Sequence, residues 1–200
     1  MKTYLVVITG ASGSVYGLRL VEQLLSAGFA VTLVVTKAGR EVAAFETGLA
    51  IAEAPATAAA TILRFLELPV TLPLKVAAQD DLFDAAASGS SRIEGMLVCP
   101  ASMGFCGSIA AGLASDLPER AADVMLKERR PLVLVPREAP FSLVHLRNLT
   151  ALAEAGAVIV PANPAFYHKP ASIDDLVDFV VGKVLDQIGV EHHLFRRWDE

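Results

Sequence analysis

The chain begins with an apolar run that ends in a turn of small residues and passes directly into a helical pattern. The run is Tyr4–Ile8, the turn carries Gly10, Ser12 and Gly13, and the helical pattern starts near Ser14. A glycine-containing turn at the start of a helix presents free backbone N–H groups where the helix dipole favours an anion. The stretch therefore predicts a strand, a turn and a helix that bind a phosphate, against the alternative of a helix start without a ligand.

The spacing of the glycines separates the possible phosphate ligands. Gly10, Gly13 and Gly17 follow neither the dinucleotide pattern G-x-G-x-x-G nor a P-loop with its Lys-Ser/Thr pair. The second predicted strand, Ala30–Val35, ends in Thr36-Lys37 rather than in the acidic residue that usually holds the ribose of NAD. A hydroxyl and a cation at this place favour a mononucleotide phosphate or a polar ring edge.

Apolar runs alternate with helical patterns along the whole chain. Strands are predicted at 4–8, 30–35, 72–76, 96–99, 131–135 and 157–160, and helices at 14–27, 39–48, 52–68, 105–113, 116–127, 142–155 and 172–188. This alternation indicates right-handed βαβ units and a parallel sheet with helices on both faces. Two hundred residues without an internal repeat or linker predict a single α/β domain, 1–200, with a tail over about 189–200.

The amino-acid composition limits the kinds of molecule that the protein is expected to bind. The net charge of −5 and the pI of 5.4 argue against a nucleic-acid partner. The hydrophobic fraction of 54% and the mean hydropathy of +0.50 are high for a small monomer, and buried parallel strands together with subunit interfaces would account for them. Cys99 and Cys106 have neither zinc nor redox spacing, so they are predicted to be reduced and buried in a cytoplasmic protein.

One uncharged stretch, residues 95–115, is long enough to suggest a membrane span. Pro100, Gly104 and Gly107 interrupt it, which favours a strand, a loop and a helix. The glycine turn also interrupts the N-terminal apolar stretch too early for a signal peptide. We therefore expect no membrane partner.

Three further turns follow predicted strands and so belong to the same edge of the sheet as the first turn. They are Pro100–Gly104, Pro136–Ser142 and Pro161–Pro170. In the second of them, Arg137 and Glu138 stand between two prolines, and a rigid loop that aims a guanidinium suits phosphate binding, whereas the alternative is a surface salt bridge of little energy. The polar stretch around Ser88 is either a lid or a plain connector.

Motifs in six places resemble the flavin prenyltransferases of the UbiX type. They are Thr9-Gly10-Ala11-Ser12-Gly13 with Tyr16-Gly17, Ala87-Ser88-Gly89-Ser90, Cys99-Pro100-Ala101-Ser102-Met103-Gly104, Glu119-Arg120-Ala121-Ala122-Asp123-Val124 with Leu126-Lys127-Glu128, Pro136-Arg137-Glu138-Ala139-Pro140, and Pro164-Ala165-Phe166-Tyr167-His168. The resemblance covers nearly the whole chain, to Arg197-Trp198. The Arg-Glu-x-Pro and Phe-Tyr loops together make it specific.

The resemblance implies a flavodoxin-like fold, a Rossmann-like three-layer sandwich, in a homo-oligomer that is often a dodecamer of trimers. Members of the family join the dimethylallyl group of dimethylallyl phosphate to N5 and C6 of FMN without a metal, closing a fourth ring. The product, prenylated FMN, serves a partner decarboxylase of the UbiD type.

Site residues carry over from the matching motifs. The resemblance assigns the flavin site to Gly10, Ala11, Ser12, Thr36, Lys37, Ser88, Ser102, Met103, Gly104, Phe105 and Arg137. It assigns the prenyl phosphate to Arg120, Lys127, Arg137, Tyr167 and Lys183. Ser12 is expected near flavin N5, Glu46 and Glu138 as acid–base groups, and Trp198 on a tail that closes over the site or over a neighbouring subunit. Fixed cations would stabilise the charge on the departing phosphate, and an aromatic face would stabilise an allylic cation.

Two other functions remain open at this point. One is a flavin-dependent decarboxylase of the peptidyl-cysteine or phosphopantothenoyl-cysteine type, although the predicted helix that carries Glu46 has no histidine. The other is a non-catalytic flavin-binding protein. Ala101, Phe105 and Cys106 depart from the usual family pattern in a turn that the resemblance places beside the flavin.

Overall fold

The computed structural model describes residues 1–198, and Asp199 and Glu200, the end of the predicted tail, lie outside the described residues. A parallel sheet forms the centre of this part of the chain. Its strands are β1 (Thr3–Ile8), β2 (Ala30–Val35), β3 (Leu74–Val76), β4 (Ile93–Ala101), β5 (Leu132–Pro136) and β6 (Val158–Ile159). They pair in the order β3-β2-β1-β4-β5-β6. The order reverses between β1 and β4, which makes the gap beyond their carboxyl ends the topological switch point.

Helices within residues 1–198 follow the predicted pattern closely. They are α1 (Ser14–Ser26), α2 (Lys37–Thr47), α3 (Pro55–Phe65), α4 (Met103–Ala110), α5 (Leu117–Lys127), α6 (Leu143–Glu154) and α7 (Ile173–Gln187). The third begins at Pro55, in the stretch 52–68 that is predicted to become helical after Pro55 and Thr57, because proline at the first turn of a helix has no N–H to lose. A 3-10 turn, Ala85–Ala87, interrupts the stretch predicted as loop, and Asp84 caps it.

The strand β4 is longer than predicted, since the ladder continues through Pro100 to Ala101. Proline has no N–H to donate and is tolerated in a central strand only where the ladder is irregular. The β4–β5 register does shift between Val98 and Ala101, which is where Pro100 stands. Sequence alternation did not reveal this irregularity.

Alternate side chains of the strands lie in two apolar layers, one on each face of the sheet. Val6 and Ile8 of β1 pack with α1 and α7, whereas Leu5 and Val7 pack on the other face with α4 and α5. Period-two alternation in β1 therefore puts one set of side chains under each helical layer. This confirms the flavodoxin-like three-layer sandwich.

Close packing of α1 on the sheet depends on Gly17. A Cβ atom at this position would lie 2.2 Å from the carbonyl oxygen of Cys99 and 2.6 Å from the side chain of Ile8. Because both are fixed parts of the sheet, no other residue fits without moving the helix outward. The start of α1 is thereby held close to the turn after β4.

The stretch 95–115 divides into β4, a Ser102 cap and α4, as the sequence predicted. None of the helices within residues 1–198 combines the length and the apolar character that crossing a membrane requires. Cys99 and Cys106 are free and buried. Burial raises the pKa of both thiols, that of Cys106 to about 12, so both stay protonated and unreactive at neutral pH.

Candidate active site

Thr9 joins the two turns at the switch point. Its hydroxyl donates to the carbonyl oxygen of Pro100 at 2.7 Å and accepts from the N–H of Ser102 at 2.8 Å. The side chain is almost fully buried, so these bonds are shielded from water. The predicted meeting of the turns after β1 and β4 at one edge is confirmed. Thr9 belongs to a family motif directly after an apolar strand, but the sequence analysis assigned it no role.

A cavity of about 740 Å³ opens beside this junction, and we call it the switch-point cavity. Six of the predicted flavin-binding residues line it, namely Gly10, Thr36, Lys37, Ser102, Gly104 and Phe105. Thr36 and Ser102 each cap a helix, with their hydroxyls accepting from the N–H groups of Gly39 and Phe105. Two helix N-termini thus face one cavity whose volume lies in the range of cofactor sites.

Gln79 closes one side of the switch-point cavity, and the sequence analysis missed it. Its amide oxygen accepts from the N–H of Lys37 at 2.8 Å, and its amide nitrogen donates to Asp116 at 2.7 Å. Asp116 in turn caps α5 by accepting from the N–H of Glu119. One side chain therefore links the starts of α2 and α5. A single glutamine in a stretch without periodicity carries no signal of this role.

A second cavity, of about 490 Å³, lies on the other side of the first turn, and we call it the α1 cavity. Its polar side chains include those of Ser12, Glu46, Thr47 and Arg137. Its apolar lining is formed mainly by Val15, Tyr16, Ala162, Pro164, Ile173 and Leu176. The guanidinium of Arg137 donates to the carbonyl oxygen of Ser12 at 3.1 Å. An apolar wall beside a fixed cation suits a ligand with a hydrocarbon body and an anionic end.

The carboxylate of Glu46 occupies the start of α1. Its oxygens accept from the N–H of Gly13 at 3.0 Å and from the N–H of Ser14 at 2.9 Å. Burial opposes ionisation, but hydrogen bonds from the Ser12 hydroxyl and from these two N–H groups set the pKa of Glu46 below its ordinary value. The N–H groups that the sequence assigned to a phosphate are therefore taken by this chain's own carboxylate.

Two of the predicted flavin-binding residues have buried side chains. The side chain of Met103 is buried in the apolar layer under α4 and α5, because it is the first inward-facing residue of α4. Ala11 is also buried. A contact of either residue with FMN would therefore be made by its backbone, and both stay predictions.

Arg120, Lys127 and Ser88 lie away from the two cavities. The helix α5 starts beside the switch-point cavity and runs for eleven residues toward the start of β5, so Lys127 is about 16 Å farther down at the opposite edge of the sheet. There Lys127 pairs with Glu128 beside the loop that holds Ser88. Arg120, in the first turn of α5, donates to Asp123 and to the carbonyl oxygen of Ala87. Within one chain, these residues do not reach Arg137.

Tyr167, Lys183 and Trp198 form a third group on the outer side of α7. The rings of Tyr167 and Trp198 are 5.0 Å apart and nearly perpendicular, and both line a cavity of about 260 Å³. The ammonium of Lys183 contacts Asp186 one turn along the helix. Glu138 lies next to Arg137, with its carboxylate accepting from the N–H of Ala139. Among residues 1–198, no His, Cys, Asp and Glu side chains group as metal ligands would.

Comparisons with known proteins agree with this geometry. The Flavoprotein family model matches residues 1–185. Over 193 residues the chain is 46% identical to the flavin prenyltransferase UbiX of Pseudomonas aeruginosa, which covers 96% of this chain and 92% of the relative.

Two solved structures match over nearly their whole length. AnUbiX in complex with FMN and dimethylallyl pyrophosphate has a TM-score of 0.88 and 37% identity, covering 100% of this chain and 98% of the other. A dodecameric FMN-dependent UbiX-like decarboxylase from Escherichia coli O157:H7 has a TM-score of 0.85 and 39% identity, covering 99% of each chain. The chain belongs to the Flavoprotein family and, within it, to the UbiX flavin prenyltransferases.

Proposed function

We propose that this protein transfers the dimethylallyl group of dimethylallyl phosphate to N5 and C6 of FMN. One observation carries the proposal: the turn after β1 separates two cavities, since Gly10 lines the larger one, whereas Ser12, bonded to Arg137, lines the smaller and mainly apolar one. A flavin on one side and a prenyl chain on the other would meet at this junction. Membership of the UbiX family supports the same reaction.

The switch-point cavity fits FMN. Its walls offer the hydroxyls of Thr36 and Ser102, the ammonium of Lys37 and the ring of Phe105, which suit a phosphorylated ligand with a flat aromatic ring. FMN, when bound, supplies the ring atoms that receive the prenyl group. The residues at the starts of α2 and α4 would hold it, with Gly10 of the first turn on the same wall.

The polar residues of the α1 cavity have different roles in the prenyl transfer. Arg137 is a fixed cation that stabilises phosphate as negative charge develops on the leaving oxygen. Glu46, with its lowered pKa, is ionised at neutral pH and fixes the position of Ser12, so it accepts a proton rather than supplying one. The apolar wall excludes water from an allylic cation.

We further infer that the complete site is assembled from several copies of the chain. The residues assigned to the prenyl phosphate lie in three places: Arg137 at the switch point, Arg120 and Lys127 along α5, and Tyr167 and Lys183 on α7. None of the cavities described above brings all five together within residues 1–198 of one chain, whereas neighbouring copies can complete such a site. The dodecameric relative supports assembly, and so do the exposed apolar side chains of Leu143, Val144 and Leu146 on α6.

The product that follows from this chemistry is prenylated FMN, and we propose that it passes to a UbiD-type decarboxylase in the cytoplasm. The names of the relatives support the prenyl transfer, and the two free, buried thiols fit a reducing compartment.

Turnover tests the proposed reaction directly. Purified protein is incubated with reduced FMN and dimethylallyl phosphate after dialysis against a chelator, and the flavin is analysed by mass and absorbance. We expect a flavin that has gained one dimethylallyl unit, without added metal. An unchanged flavin together with release of CO₂ from a cysteine-containing peptide would establish the alternative decarboxylase function, and an unchanged flavin with neither activity would indicate a binding protein.

A further inference from the structure

The C-terminal tail, defined here as residues 189–198, folds back onto α7 around a single carboxylate. Asp186, in the last turn of α7, accepts from the guanidinium of Arg197 at 2.9 Å and from Nε2 of His192 at 3.1 Å, both on the same oxygen. Its other oxygen faces the ammonium of Lys183 at 3.4 Å. Three donors from two elements therefore converge on Asp186.

Hydrogen bonding defines which ring nitrogen of His192 carries the proton. Its Nδ1 accepts from the backbone N–H of Leu194 at 3.3 Å, so the ring proton is on Nε2 and is donated to Asp186. Burial opposes ionisation of Asp186, but the bonds from Arg197 and His192 outweigh it and lower the pKa of Asp186 below its ordinary value. The carboxylate is thus charged at neutral pH and holds the tail through charge-assisted bonds.

Close packing completes the contact between the tail and α7. A Cβ atom at Gly182 would lie 2.5 Å from the ring of Phe195 and 2.6 Å from that of His192, so the tail rests directly on the helix backbone. Phe195 contacts Phe179 at 4.9 Å between ring centroids, and Phe179 contacts Tyr167 at 5.9 Å. This path of rings leads from the anchored part of the tail to the pair formed by Tyr167 and Trp198.

We propose that Asp186 is a positioning residue for the prenyl donor, which it serves by anchoring the tail so that Trp198 stays against Tyr167 and by orienting Lys183. Asp186 itself touches neither ligand. The inference rests on the proposed function only where it names the donor, because the anchoring is a property of this chain alone.

The experiment uses Trp198, the only tryptophan of the chain, as its reporter. Trp198 is 81% exposed, so quenching by solutes would change little, and fluorescence anisotropy is the measurement to use. Asp186→Asn keeps the size of the side chain and removes its charge. Arg197→Gln removes one partner, Asp186→Glu restores the charge, and Glu191→Gln removes an exposed carboxylate of the same tail as a matched control.

We expect the anisotropy of Trp198 to fall in Asp186→Asn and in Arg197→Gln, to recover at least in part in Asp186→Glu, and to stay unchanged in Glu191→Gln. With saturating FMN, the KM for dimethylallyl phosphate should rise about tenfold in Asp186→Asn, the effect of losing one charge-assisted hydrogen bond, while FMN affinity stays the same. Unchanged anisotropy in both Asp186→Asn and Arg197→Gln would overturn the anchoring.

The KM for dimethylallyl phosphate tests separately whether Asp186 positions the prenyl donor. Reduced anisotropy with an unchanged KM in Asp186→Asn would overturn the positioning role, because the tail would then be released without consequence for the donor. If the wild-type protein prenylated no flavin, the proposed function would fail, whereas the anisotropy series would still test the anchor.

Discussion

Glu46 occupies the N–H groups that the glycine motif was predicted to offer to a phosphate. The turn from Gly10 to Gly13 is typical of phosphate binding in sequence, yet its N–H groups face the carboxylate of Glu46, which comes from α2. A carboxylate at a helix N-terminus gains the same dipole interaction that a phosphate would. The proposed phosphate positions are therefore at the switch-point cavity and at Arg137.

The first prediction concerns this carboxylate. Glu46→Gln should lower the free energy of unfolding at pH 7 by about 0.5–1 kcal/mol, the scale of a helix cap whose charge is exposed to solvent. Because the folded-state pKa is lowered, this stabilisation is present above the unfolded-state pKa of about 4.3 and is lost as the pH falls through the folded-state value. Urea denaturation at a series of pH values measures both.

The difference in stability between wild type and Glu46→Gln should therefore shrink below about pH 4. Glu41→Gln, which removes a carboxylate from the exposed part of the same helix, serves as the control and should show no comparable trend. A difference that stays constant down to pH 3 would mean that Glu46 stabilises the turn by shape rather than by charge.

The second prediction concerns the phosphate contacts. Lys127→Ala and Tyr167→Phe should leave folding and FMN affinity nearly unchanged, since neither side chain lines the switch-point cavity. Loss of a contact made mainly in the transition state should raise the barrier by about 2–4 kcal/mol, or on the order of 10²- to 10³-fold in rate. Single-turnover formation of the flavin adduct at saturating FMN measures this. Wild-type rates in both variants would assign the residues to a surface charge network.

At the scale of secondary-structure elements, the hydrogen bonds of Thr9 connect the turns after β1 and β4 and so set the geometry of the site. Its hydroxyl bonds to both Pro100 and Ser102 across the gap between β1 and β4. The two turns on either side carry Gly10, Ser12 and the cap of α4. Movement of one turn against the other would therefore change the shape of the switch-point cavity.

The third prediction follows from those hydrogen bonds. Thr9→Val preserves the side-chain shape but leaves the half-buried N–H of Ser102 without its acceptor, while the carbonyl oxygen of Pro100 keeps only the 3.3 Å bond from the backbone N–H of Thr9. This should lower the free energy of unfolding by about 1–2 kcal/mol. FMN should also bind more weakly, because the turns are no longer held together. Urea denaturation and FMN titration measure the two effects.

Thr61→Val is a matched control, because its hydroxyl bonds only to the carbonyl oxygen of Thr57 on an exposed helix face. It should change stability by less than about 0.5 kcal/mol. Equal effects of the Thr9 and Thr61 substitutions would contradict a role for Thr9 in the site.

At the scale of the whole molecule, the separation of Arg137 from Lys127 leads to the fourth prediction. In an oligomer assembled from equal amounts of Arg137→Ala and Lys127→Ala, a site that takes the two residues from different copies is intact in about a quarter of cases. We expect mixing, after dissociation and reassembly, to restore about a quarter of wild-type activity although each variant alone is slow. Light scattering confirms that the mixture assembles.

Two results would contradict this arrangement. Mixed oligomers with no more activity than the separate variants would show that both residues act within one chain. A wild-type protein that scatters light only as a 21.1 kDa species at micromolar concentration would remove the assembly itself.

The sequence by itself determined the architecture and part of the lining of the switch-point cavity. Period-two and helical patterns are local, so β1, β2, α1 and α7 follow from them within one or two residues. Residues that directly follow a parallel strand must lie at its carboxyl edge, which is why Thr36, Ser102 and Arg137 were found.

Only the tertiary structure decided what depends on contacts between distant segments. Glu46 reaches the start of α1 across 32 residues, Gln79 links two helix starts, and Asp186 anchors the tail, and no local pattern encodes such pairings. The direction of α5 likewise separates Lys127 from Arg137, although both had been assigned to one phosphate. Side-chain chemistry can be read along a chain, whereas the distance between two side chains is set by the packing of the helices and strands that carry them.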